Sequence, residues 1–167
     1  AYLWRLEHRG HNWNLIMTAP VRPFALYAAK FCVVAKMALL TQIWLLVLFL
    51  IGGKLGAGLT GFPPPEILLW LLRGAVGGLP IIAIQLLLSM VIRNFALPVL
   101  MALGGSILGL MATTSNAGLF WPYSLMLMGM NSNRTEDVMT GQLPGFFLSC
   151  IIFLAIFLLT ADAVLAK

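Results

Sequence analysis

Glu66-Ile67-Leu68-Leu69-Trp70-Leu71-Leu72-Arg73-Gly74-Ala75-Val76-Gly77-Gly78-Leu79-Pro80-Ile81-Ile82-Ala83-Ile84-Gln85-Leu86-Leu87-Leu88-Ser89-Met90-Val91-Ile92 is a run that a bilayer explains better than a soluble core. As a helix it exceeds the roughly 20 residues needed to cross the hydrocarbon layer. Glu66 opens it, Arg93-Asn94 marks its exit, and only Arg73 and Gln85 are strongly polar well inside. The composition around it agrees, with 61% hydrophobic and 9% charged residues, where a soluble domain carries about a quarter charged. Backbone polar groups in lipid must be satisfied internally, which leaves helices or closed barrels. The ten-residue alternation of a barrel strand is absent, so the chain is read as an all-α polytopic membrane protein.

Working outward, the apolar runs predict four spans at about 31–51, 67–92, 95–113 and 143–163. The glycine- and proline-rich stretch 52–65 is expected to leave the membrane, because Pro63-Pro64-Pro65 cannot sit inside a continuous helix. Pro80 is expected to kink its span. Residues 119–130 are apolar but too short to cross, which predicts a re-entrant or interfacial outer helix. Gly74 and Gly78, and Gly105 and Gly109, have the spacing that lets helices approach closely. Arg73 is a candidate for a substrate pathway, with pairing to Glu66 as the structural alternative, and Gln85 is a second pathway candidate. The run Arg134-Thr135-Glu136-Asp137 reads as a solvated loop.

Lys and Arg positions set the orientation. Arg5, Arg9, Arg22, Lys30, Lys36, Arg93 and Lys167 fall on one side of the spans, against Lys54, Arg73 and Arg134 on the other. The positive-inside rule places the first group, and both chain ends, in the cytoplasm. The net charge of +5 is explained by these juxtamembrane residues, so no nucleic-acid partner is expected. The chain opens with Ala1-Tyr2-Leu3-Trp4-Arg5, partway through what reads as a juxtamembrane helix, and an N-terminal part is expected to be missing.

Reactive chemistry is sparse. His8 and His11 lie before the spans, no pair of carboxylates shares a span, and no GxxxxGK[ST] loop is present. Cys32 and Cys150 sit apart inside apolar runs without metal-ligand spacing. No catalytic or metal site is expected. The remaining polar element is the foot, residues 1–23. In it Gly10 breaks a helix, Asn12 can cap a new one, and Trp13, Ile16 and Met17 share a face ending at Pro20. A plain interfacial amphipathic helix and a partner-docking element both fit these residues.

The segment Glu7-His8-Arg9-Gly10-His11-Asn12-Trp13-Asn14-Leu15-Ile16-Met17-Thr18-Ala19-Pro20-Val21-Arg22-Pro23, followed by Lys30 and a span, resembles the corresponding element of type-2 ABC exporter permeases. It is most similar to those of lantibiotic-immunity and bacitracin-type transporters. The apolar segment with Trp121-Pro122-Tyr123-Ser124 before the last span is similar as well. The resemblance implies a permease of six spans, of which the first two are absent from this chain. It also implies that the foot is a coupling helix docking into a separate ATPase subunit. Glu7, Gly10, Trp13, Asn14, Pro20 and Arg22 would be its contact residues. Two permease copies, identical or related, would pair with an ATPase dimer that binds ATP and Mg, in a bacterial inner or plasma membrane. The cargo implied is amphiphilic, an antimicrobial peptide or lipid-like compound, which would confer antimicrobial peptide resistance. A structural or assembly subunit using the foot for docking is the alternative.

Overall fold

The computed structural model describes residues 4, 22–92, 94–115, 117–132, 134 and 136–166. All regular structure in these residues is helical. Helix α1 is Pro23–Ile51 and continues through a π-helical turn, Gly52–Gly56. Helix α2 is Glu66–Val91 and α3 is Ala96–Thr114. A 3-10 turn, Gly118–Phe120, leads into the short α4, Pro122–Gly129, and α5 is Leu143–Leu165. Four of these helices are long and apolar enough to cross a membrane: Pro23–Gly56, Glu66–Val91, Ala96–Thr114 and Leu143–Leu165.

Proline sets several of the starts. Pro23, Pro98, Pro122 and Pro144 each lie in the first turn of a helix, where the missing N–H would have no helical partner anyway. Pro80 is the exception, lying inside α2 and buried. The helix is continuous through it, from Glu66 to Val91.

The first span is longer than its hydropathy predicts, at both ends. Gly52, Gly53 and Gly56 do not end it; the loop begins only at Ala57. The Ala57 N–H donates to the Gly52 carbonyl at 3.1 Å, and Leu59 N–H donates to Gly53 at 3.0 Å. Where water is scarce, helical bonding satisfies these groups better than a loop would, and this outweighs the weak helix preference of glycine. Gly58, at φ +65°, then turns the chain.

Helix α2 is the centre of the bundle, packing on α1, α4 and α5, whereas α3 joins the rest mainly through α4. Two cores lie at opposite ends. One gathers Trp4, Tyr27, Leu86, Met90, Ala161 and Leu165, from the start of α1 and the ends of α2 and α5. Within it the Tyr27 hydroxyl donates to the Ala83 carbonyl at 2.7 Å. The other gathers Leu125, Met139, Phe146 and Cys150 around α4 and the start of α5.

Candidate functional site

The short helix α4 is gripped on two sides by glycines. On the α2 side, a Cβ at Gly77 would lie 2.5 Å from the Leu125 carbonyl oxygen, and Gly74 is covered by the Met130 side chain. Reciprocally, a Cβ at Gly129 would lie 2.6 Å from the Arg73 carbonyl oxygen. On the α3 side, Gly105 lies under the Tyr123 ring and Gly109 against the Tyr123–Ser124 backbone. The predicted small-residue ridges therefore both serve α4. On α2 the closest approaches to α4 are at Gly74 and Gly77, whereas at Gly78 the nearest atom to a Cβ position is the Met126 sulfur at 3.9 Å, an ordinary contact.

Polar contacts complete the grip. The Trp121 indole N–H donates to the Gly105 carbonyl at 2.9 Å. Ser124 donates to the carbonyls of Gly118 and Trp121, closing the turn that starts α4. The Gln85 amide donates to the Tyr123 hydroxyl at 2.5 Å. Pro122 to Leu125 are buried. The short helix α4 is thus wedged among the long apolar helices. A double-mutant cycle of Gln85→Leu and Tyr123→Phe, read by thermal unfolding, should return a coupling of about 0.5–1.5 kcal/mol, the range of hydrogen bonds between membrane helices.

Arg73, one turn before Gly77, is 3% exposed and pairs with Asp137, whose side chain is 30% exposed, at 2.8 Å. This replaces the partner in the structural alternative for Arg73 and corrects the reading of the 134–137 run. Arg73 does not pair with Glu66, and Asp137 does not belong to a merely solvated loop. The Trp70 indole N–H and the Met139 backbone N–H also donate to the Asp137 carboxylate. The hydrogen bond from Arg73 holds the Asp137 carboxyl below its ordinary value, with burial opposing and Met139 assisting. The pair ties α2 to the segment that leads into α5. Asn131, at φ +50°, accepts from the Val138 N–H at 3.2 Å and holds the same segment. A signal for Asp137 exists in the composition: a buried span arginine needs a counter-charge, and the chain has only five acids.

Arg73 and Gln85 are twelve positions apart, about 18 Å along α2. The structure places them in separate contacts, one with Asp137 and one with Tyr123, both bracing α4 and its flanks. Of the foot, Glu7, Gly10, Trp13, Asn14 and Pro20 lie outside the described residues. Arg22 is exposed, and its carbonyl accepts the Ala25 N–H at 2.8 Å at the start of α1. Trp4 is buried in the core beside Tyr27, with the Lys30 ammonium 3.9 Å from its ring centroid.

No curated protein and no solved structure matches the chain. A family model described as ABC-2 family transporter protein matches residues 1–109, which include the foot, α1, α2 and most of α3. With four apolar helices of crossing length and a family match over most of its residues, the chain belongs to the ABC-2 family of transporter proteins, as a multi-pass membrane component of an ABC transporter.

Proposed function

We propose that this chain is the permease subunit of an ATP-driven exporter and that residues 1–23 couple it to a separate ATPase. The observation that carries this reading is the family match over residues 1–109, which begins with the foot. The ATPase dimer would hold ATP and Mg, and a second permease copy would complete the transporter. Both chain ends would lie in the cytoplasm of a bacterial cell. The cargo would be amphiphilic, an antimicrobial peptide or lipid-like compound, in keeping with the resemblance to lantibiotic-immunity and bacitracin-type permeases. Arg73 and Gln85 would act on transport by bracing the outer helix α4 rather than by contacting cargo.

The packing beside the foot supports a mechanical link. Trp4 is buried against the first turns of α1 and the last turns of α2 and α5. A push on the foot therefore meets three spans at once. Helix α1 has no glycine or proline between Phe24 and Ile51 to absorb it.

Trp13 is the largest anchor the foot offers, and buried aromatic anchors dominate interface energies. In the complex purified with its ATPase, Trp13→Ala should weaken ATPase binding by about 30-fold, the equivalent of a 2 kcal/mol anchor. Cargo-stimulated ATP turnover should fall with it. Unchanged binding and turnover would overturn the coupling assignment. A membrane complex without a stoichiometric ATP-binding subunit would favour the assembly-subunit reading instead.

A further inference from the structure

Between α1 and α2 runs a lateral groove of about 360 Å³, lined by Lys36, Leu39, Gln42, Leu79, Ile82 and Met126 among others. Its walls are apolar apart from two groups on α1. Gln42 is 7% exposed, yet its amide oxygen is buried without a hydrogen-bond partner. Lys36 lies six positions earlier, about 9 Å along the helix, and has no ion-pair partner among the described residues. Lipid hydrocarbon cannot satisfy a buried amide, and such groups normally have partners.

We propose that this groove binds an anionic membrane amphiphile that enters sideways from the bilayer. Its head group pairs with Lys36, its hydrocarbon chain lies along Leu39, Leu79, Ile82 and Met126, and a hydroxyl on that chain meets Gln42. A hydroxyl both donates and accepts, so it satisfies the amide whichever way the amide is turned. The charge at one end and the amide further along set the class. A plain acyl chain fills the volume but leaves Gln42 unsatisfied, and a neutral head leaves Lys36 without a counter-ion. Binding at this site does not depend on the transport reading.

The test uses the full chain with its ATPase in phosphatidylcholine nanodiscs, without nucleotide. A diazirine-bearing stearate is photolysed, and the labelled peptides are mapped. Labelling should fall on the segments around Leu39 to Gln42 and Leu79 to Ile82. A mid-chain hydroxystearate should compete about tenfold better than stearate, the value of one hydrogen bond. Gln42→Leu, which keeps the volume and removes the amide, should make the two competitors equal. Lys36→Met should weaken both by a similar factor and keep the preference. Equal competition in the unaltered protein, a preference that survives Gln42→Leu, or labelling confined to other segments overturns the proposal.

Discussion

Gly77→Ala lowers the stability of the protein by about 1–3 kcal/mol, the cost of overpacking a site whose neighbours cannot move aside. The added methyl group meets the Leu125 carbonyl oxygen at 2.5 Å and the Met126 nitrogen at 2.9 Å, both backbone atoms. No rotamer change relieves such a contact, so α4 must shift away from α2. Gly77→Val extends the same clash and should cost more. Gly78→Ala is the control on the adjacent position. There the nearest atom is the Met126 sulfur at 3.9 Å, and the substitution should be neutral or gain up to about 1 kcal/mol from the lost flexibility of glycine. Gly129→Ala should behave like Gly77→Ala, because its methyl group meets the Arg73 carbonyl oxygen at 2.6 Å. Thermal unfolding of the purified protein in one detergent, variant by variant, reads these differences. Equal stability of Gly77→Ala and Gly78→Ala would refute the packing described for α4.

The same glycines mark how far a linear sequence can be read. The spans are legible because little besides a bilayer accounts for apolar runs of crossing length, and α2, α3 and α5 begin and end within a few residues of expectation. The end of α1 is not, since glycine signals a break in water but continues a helix where the backbone lacks other partners. The glycine spacings are visible, but spacing cannot say which helix fills the space. Both ridges receive α4, a helix too short to span. Asp137 is the least legible residue of the site. Its partner lies sixty-four positions earlier, and no local pattern joins a loop acid to a span arginine. Gln42 is hidden for a related reason: a glutamine in a long apolar helix reads as incidental until packing buries it without a partner.

Asp137→Ala should be among the most damaging single substitutions outside the foot, costing about 3–5 kcal/mol, because it leaves a buried guanidinium without its counter-charge. The reverse substitution should be milder. Arg73→Met removes the buried charge itself, keeps most of the volume, and leaves a carboxylate that is 30% exposed and can take up water. About 1 kcal/mol is the expected loss there, the worth of the hydrogen bonds given up. Combining the two should recover much of what Asp137→Ala loses, so the pair is strongly non-additive, as contacting charges are. Acid should act in the same direction as Asp137→Ala. The folded-state carboxyl ionises below its ordinary value, chiefly through the Arg73 hydrogen bond, so on acidification the unfolded chain takes up this proton first. The stabilisation is complete at neutral pH and is lost as pH falls through the usual aspartate range and then through the lower folded value. Unfolding measured across that window should show a slope in the unaltered protein that is smaller in Arg73→Met. An identical slope in both would mean that the Arg73–Asp137 pair does not hold α2 to the start of α5.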